Sequence, residues 1–211
     1  MTVLSSTFLV LAVMMAILNW LAVARENSLL EYVSKPAATT SLLITALSLD
    51  VVHDAPWGWR VAALALCIFG DVFLMLPRDA FVPGLASFAV AQILFTISFA
   101  TGDTVASRWI MGAVIAVPVA LILWGRFSRG LRASGHSNLI IPVSVYVVVI
   151  SAMTIGAIAS GSALAILGAV IFMVSDSLIA ESRFVKSQPW HSVGIMVTYH
   201  FALTGLVLSL L

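Results

Sequence analysis

The sequence holds one cysteine, Cys67, in 211 residues. That excludes an internal disulfide and any multi-cysteine metal site. Charge is scarce as well. Only 9% of the residues are charged, against about 25% in an ordinary soluble domain, which rules out a water-soluble globule. Ten basic and nine acidic side chains leave a formal charge of +1, and the lack of a basic field argues against nucleic-acid binding. Segments of alternating apolar and polar residues are missing, so a β-barrel is unsupported. What is plentiful is apolar: 62% of the chain is hydrophobic, which rules out disorder. The expected molecule is an all-α integral membrane protein, a single transmembrane helical domain over residues 1–211.

A spanning helix needs roughly 20 mostly apolar residues. Eight segments qualify, about Val3–Val23, Pro36–Val51, Trp59–Leu76, Phe81–Ala100, Trp109–Trp124, Leu139–Ile155, Ser162–Ala180 and His191–Leu210. The second starts at Ser34-Lys35-Pro36, where proline suits a first helical turn. The first has no Lys or Arg before it and is too long for a signal-peptide core, so it reads as a retained helix.

The loops set an expected orientation. Those after helices 1, 3, 5 and 7 hold Arg25, Lys35, Arg78, Arg126, Arg129, Arg132, Arg183 and Lys186, whereas the other side holds only Arg60 and Arg108. Eight against two places the odd-numbered loops in the cytoplasm and both termini on the non-cytoplasmic side. The membrane would be a bacterial inner membrane or the endoplasmic reticulum. Trp20, Trp57, Trp59, Trp109, Trp124 and Trp190 all fall near span ends, as an interfacial aromatic belt requires. The segment Ile68-Phe69-Gly70-Asp71-Val72-Phe73-Leu74 echoes Met173-Val174-Ser175-Asp176-Ser177-Leu178-Ile179, and an arginine, Arg78 or Arg183, follows each aspartate by seven positions. The echo suggests two parallel four-helix halves.

Ionisable residues inside a span are costly and mark function. Asp71 lies five residues before the inner end of the third span, and Asp176 four before that of the seventh. At 1.5 Å per residue both would sit roughly 6–8 Å below the inner boundary, in one layer. Ser175, Tyr199 and Thr204 are nearby hydrogen-bonding candidates, and the small residues Gly161, Ala165, Gly168 and Ala169 allow close packing of the seventh span. Lys35 opens the second span at the inner surface. His200, beside Tyr199, and Gln92 lie near mid-depth. Asp50, Asp54 and Asp103 fall on the outer side. Each deep residue also has a plain reading: the aspartates, His200 and Gln92 as links between helices, Lys35 as a snorkelling cation, Arg78 and Arg183 as topology markers.

Two sheltered carboxyl groups can hold different protonation states, because dehydration and a neighbouring anion both favour the neutral acid. One then donates a proton while the other stays an anion. Lys35, Arg78 and Arg183 at the same surface suit a phosphate. The combination fits a lipid with its head group at the inner interface and its labile bond near the carboxyls.

The ordered elements Ser34-Lys35-Pro36, Phe69-Gly70-Asp71-Val72-Phe73-Leu74-Met75, Phe81-Val82-Pro83-Gly84-Leu85-Ala86-Ser87-Phe88, Val174-Ser175-Asp176-Ser177-Leu178-Ile179-Ala180 and Thr198-Tyr199-His200 resemble the YhhN-like lysoplasmalogenase family. The resemblance runs from the second span through the eighth. It departs at Ala91-Gln92, where many relatives are expected to carry histidine. It implies hydrolysis of lysoplasmalogen, a lysophospholipid with a vinyl ether, to a fatty aldehyde and a glycerophospho-base. A vinyl ether is opened by protonation and water, so a carboxylic acid, a carboxylate and bound water suffice without cofactor or metal. On this reading Asp71 and Asp176 divide the acid and base roles, Tyr199 and His200 orient water or substrate, and Lys35, Arg78, Arg183 and Gln92 bind substrate.

Rival readings have distinct marks. An intramembrane aspartyl protease would carry Gly-x-Gly-Asp, but Ile68 stands two before Gly70. A metal-dependent lipid hydrolase would gather Asp71, Asp176 and His200 as ligands. A proton-coupled transporter would use the carboxyls as a relay, although paired Gly/Pro-broken helices are not evident. A scaffold would need soluble surface that the chain has little of.

Overall fold

The computed structural model describes residues 1–76 and 80–211. Among them are eight α-helices: α1 (Val3–Ala24), α2 (Ser28–Leu47), α3 (Ala55–Met75), α4 (Phe81–Thr101), α5 (Ala106–Ala133), α6 (Ile140–Ser160), α7 (Ala163–Phe184) and α8 (His191–Leu208). A single 3-10 turn, Ser137–Leu139, leads into α6. No strand occurs among the described residues. Seven of the helices are long and apolar enough to cross a membrane, and the protein is a multi-pass membrane helical bundle. The exception by composition is α2, which buries Ser34, Lys35, Thr39, Ser41 and Thr45 inside the bundle.

Short polar caps decide where several helices begin. Thr2 accepts the Ser5 amide at 3.0 Å, Asn27 that of Leu30 at 3.1 Å, and Asp54 that of Trp57 at 3.0 Å. Each satisfies one of the donors that a helix start leaves open. Asn27 overturns the expected start of the second span. The helix begins at Ser28, so Pro36 lies inside it rather than in its first turn, and its missing N–H leaves one rung of the helix ladder open. The fifth span is also longer than expected. Helix α5 continues past Trp124 to Ala133 with Pro118 inside it. Arg126, Arg129 and Arg132 are therefore helical rather than loop residues, and Arg126 forks onto the Glu181 carboxylate of α7 at 2.6 Å on both oxygens. Helix α7 likewise runs to Phe184 and takes in Arg183.

Consecutive helices pack as neighbours: α1 on α2, α2 on α3, α3 on α4, α5 on α6, α6 on α7 and α7 on α8. Three further contacts join the first four helices to the last four, α4 with α6, α8 with α1 and α8 with α2. Shifting each pair by four helices maps α1–α2 onto α5–α6, α3–α4 onto α7–α8, and α8–α2 onto α4–α6, whereas α1–α8 and α5–α7 have no comparable counterpart in α4–α5 and α1–α3. Gly161 ends α6 in the left-handed conformation, φ 70°, a backbone state that favours glycine.

Helices α7 and α8 meet through small residues. A methyl group at Gly168 would lie 2.9 Å from the Ala202 carbonyl oxygen and 2.9 Å from the Leu206 nitrogen, both backbone atoms. No side chain there can move to make room. Gly168→Val should therefore lower stability by roughly 1–3 kcal/mol, the range for overpacking. Gly125→Ala, where nothing lies within 4 Å of the added carbon, should leave the protein at least as stable. Thermal unfolding of the two purified variants beside the parent checks both.

Candidate functional site

The deepest polar cluster is built on α2, α3 and α8. Asp71 of α3 is fully buried. Its Oδ2 accepts the Thr39 hydroxyl at 2.6 Å and the Tyr199 hydroxyl at 2.9 Å. Lys35 Nζ stands 3.5 Å from Oδ1. No hydrogen bond closes on Oδ1 itself, so the ion pair is loose. Lys35 and Thr39 are four residues apart on α2, hence on one face of it. All three partners are donors or cations, which is the set a carboxylate anion needs when taken out of water.

Lys35 is thus not an interfacial residue at the start of a helix, as its place before Pro36 suggested. It is the eighth residue of α2 and 4% exposed. The start of α2 at Ser28 carried it inward. A snorkelling role is excluded by its burial, and Asp71 is its counter-charge.

Asp176 has a different setting. It accepts the Tyr146 hydroxyl of α6 in a short hydrogen bond and lines a groove formed by α3, α4, α5, α6 and α7. The groove is narrow, with a cavity volume of about 50 Å³. Its walls are mainly apolar, with Leu85, Phe88, Leu123, Val147, Met173 and Ile179 among them. Asp176 is the one ionisable carboxyl on this wall among the described residues. Its lining is of the kind that suits an alkyl chain, with an acid beside it.

The two aspartates share no hydrogen-bond partner, and Asp71 does not line the groove. The field of Lys35 reaches both carboxyls, and Cys67 lies within electrostatic reach of both. Counted from the observed helix ends, the two aspartates do not lie equally far in. Asp71 lies four residues before Met75, whereas Asp176 lies eight before Phe184, about 6 and 12 Å along the axes. Aromatic packing links the two settings. Tyr199 meets Phe88 edge-on at 5.8 Å and Phe172 at 5.7 Å, and Phe88 is a groove residue.

The remaining expectations divide. His200 is not brought to either carboxyl. Its Nδ1 lies 2.7 Å from the Met196 carbonyl oxygen and 3.1 Å from the Trp20 indole nitrogen, while Nε2 is buried without a partner. Among the described residues no group of three His, Cys, Asp or Glu side chains gathers as metal ligands, so Asp71, Asp176 and His200 do not form the set a metal-dependent hydrolase would use. Ser175 and Thr204 bond the Ile195 and His200 carbonyls rather than an aspartate. Gln92 is fully buried beside Tyr146, with neither amide atom in a hydrogen bond. Arg183 stacks over Phe81 at 4.3 Å, at the groove end formed by Phe81 and Phe184. Arg78 lies outside the described residues.

Two residues that hold the aspartates escape a reading of the sequence. Thr39 had a signal: it follows Lys35 by one turn. Tyr146 had one also, because a tyrosine in an otherwise apolar span needs a partner for its hydroxyl. Two of the three tyrosines in the chain, Tyr146 and Tyr199, are on the aspartates.

The buried ion pair sets a stability test. Lys35→Met leaves Asp71 without its cation and should cost about 3–5 kcal/mol. Lys35→Met combined with Asp71→Asn removes both charges and should recover most of that loss. Chemical denaturation of the parent, both single variants and the double variant gives the coupling. Additive losses would show that the pair does not act as a unit.

The comparisons with known proteins cover most of the chain. The profile of the YhhN family matches residues 30–210, which take in Lys35, both aspartates and both tyrosines. The chain is 34% identical over 178 residues to a Mycobacterium bovis protein named lysoplasmalogenase, covering 78% of this chain and 66% of that one. It is 30% identical over 149 residues to human lysoplasmalogenase TMEM86B, covering 71% of this chain and 62% of that one. It therefore spans slightly less than two thirds of these relatives. An Escherichia coli O6:H1 protein named uncharacterized membrane protein YhhN is 30% identical over 101 residues, 46% of this chain and 48% of that one. No solved structure matches this chain. With its profile aligned from the first turn of α2 to just past the end of α8, the chain belongs to the YhhN family.

Proposed function

We propose that this protein is a membrane hydrolase that cleaves the vinyl ether bond of lysoplasmalogen. The observation that carries the reading is Asp176, a carboxyl gripped by Tyr146 on the wall of an otherwise apolar groove. The relatives named lysoplasmalogenase support the substrate class. The alkenyl chain lies along the groove, and its phosphate meets Arg183 at the end near Phe81. That end carries Arg126, Arg129, Arg132 and Arg183, so it faces the cytoplasm and both termini face the other side.

Asp176 is the acid. It gives its proton to the β-carbon of the vinyl ether, and the π electrons form the new C–H bond. The α-carbon becomes an oxocarbenium ion. Water adds to that carbon and passes a proton to the Asp176 carboxylate, which restores the acid. The hemiacetal then breaks its bond to glycerol oxygen, and its hydroxyl proton moves to that oxygen. The products are a fatty aldehyde and a glycerophospho-base. Tyr146 orients the carboxyl, and the buried amide of Gln92 beside it is suited to hold water.

Asp71 acts from behind the wall. Its carboxylate, matched to Lys35, Thr39 and Tyr199, is a standing anion whose field favours a cationic intermediate. Tyr199 couples that anion to the groove through Phe88. His200 packs against the Tyr199 ring with centroids 5.5 Å apart and steadies it.

The test uses purified protein with lysoplasmalogen and with its saturated-ether analogue. Aldehyde should form from the first alone. Asp176→Asn should lower turnover by about 10²–10⁴, the scale of general acid catalysis, and Asp71→Asn should lower both turnover and stability, because it leaves Lys35 buried without its counter-charge. Parental turnover in Asp176→Asn would sink the acid assignment, and aldehyde from neither substrate would sink the reaction.

A further inference from the structure

At the end of the bundle opposite the groove mouth lies a polar pocket with a cavity volume of about 120 Å³. It sits where α4, α6 and α8 end and α3 and α7 begin. Arg60, Ser98, Asp103, Ser160, Ser162 and Ser209 contribute its polar lining. Nothing in the proposed hydrolysis uses these residues.

Arg60 is the unusual member. A guanidinium is among the groups least often buried without a counter-charge, yet Arg60 is 6% exposed and makes no ion pair among the described residues. Its Nε donates to Ser98 Oγ at 3.2 Å and its Nη1 to Ser209 Oγ at 2.8 Å. Phe99 covers one face at 4.7 Å. Those two serines pass their own protons to the carbonyls of Pro56 and Leu206. Of the five N–H donors of a guanidinium, two are thus engaged, and Nη2 has no hydrogen-bond partner in the described structure. The fork is held rigid by α3, α4 and the end of α8, and it borders the pocket.

The charges around it are not all of one sign. Asp103 lines the same pocket from the α4–α5 link and is exposed. Asp54, the cap of α3, adds a field at Arg60 without touching it. Arg108, from the first turn of α5, packs its guanidinium against Gly161, between Ser160 and Ser162. A simple anion would meet Arg60 favourably and Asp103 unfavourably. A ligand carrying both signs satisfies both, with its anion inside and its cation at the rim.

We propose that this pocket binds a zwitterionic phosphoamine head group, with the phosphate on Arg60 and the ammonium at Asp103. The order of charges fits a phospholipid, whose phosphate lies nearer the hydrocarbon than its amine. It fits equally a free phosphoamine released from a lipid. A planar guanidinium fork is suited to phosphate oxygens. The buried position strengthens that contact relative to one in water.

The test is thermal unfolding of the full chain in detergent, titrated with O-phosphoethanolamine, inorganic phosphate or ethanolamine. The first should give a saturable rise in midpoint, phosphate a smaller one, and ethanolamine none. Asp103→Asn, at an exposed residue, should weaken O-phosphoethanolamine about fivefold, the scale of one exposed ion pair, and spare phosphate. Arg60→Lys should weaken both; if it does not fold, Asp103→Asn decides alone. In nanodiscs, stabilisation by phosphatidylethanolamine over phosphatidylglycerol that is lost in Asp103→Asn assigns the lipid. Stabilisation by the soluble compound alone assigns the free head group. No saturable response to O-phosphoethanolamine, or one unchanged by Asp103→Asn, overturns the proposal whatever the aldehyde assay gives.

Discussion

A carboxylate cannot be left bare inside a bundle that excludes water, and Asp71 is the point where this protein meets that constraint. Its oxygens draw a hydroxyl and an ammonium from α2 and a hydroxyl from α8. Two consecutive helices, α2 and α3, and the distant α8 are therefore held in one register and rotation. Dehydrating an ion costs several kcal/mol, and only well-placed donors offset it. The gain lies in specificity as much as in stability: α2, the least apolar helix, has its inward face defined by the charge it must neutralise. A wrong rotation of α2 would turn Lys35 towards hydrocarbon.

The second carboxyl is handled by the opposite strategy. Asp176 keeps one hydroxyl partner, Tyr146, and has the apolar groove in front of it. One carboxyl is braced by three donors and the other faces apolar walls. The first setting suits an anion and the second a neutral acid. The tyrosines keep these roles apart, each on its own aspartate, and the edge-on contacts of Tyr199 with Phe88 and Phe172 carry the rigidity of one centre to the wall of the other.

The same logic recurs at the far end of the bundle. Arg60 is buried against serines and an aromatic face rather than against a carboxylate. A molecule with few charges places them where helices must be tied together or where a polar ligand must be recognised. Here the sixty-odd per cent of apolar side chains supply the span, and a handful of polar ones decide what it can do.

The class of protein was legible in composition alone, because apolar segments of spanning length have no other stable home. Seven of the eight segments begin within about four residues of the observed helices, since hydropathy and turn residues act locally. Asp71, Asp176, Lys35 and Tyr199 also stood out, because ionisable groups in spans are too costly to be incidental. The misread parts depended on contacts across the chain. The start of α2 followed Asn27, a capping side chain weaker as a signal than Pro36. The extension of α5 past Trp124 goes with contacts made far along the chain, the burial of Phe127 and Leu131 and the Arg126 fork onto Glu181, fifty-five residues away. His200 looked catalytic by type and depth, yet its ring is turned to Trp20 and its own helix. The sequence by itself determined which residues must leave water, because solvation depends on the side chain alone. Only the tertiary structure decided which hydroxyl meets which carboxyl and which aspartate faces the groove, because those outcomes depend on helix rotation and register, which packing among all eight helices sets together.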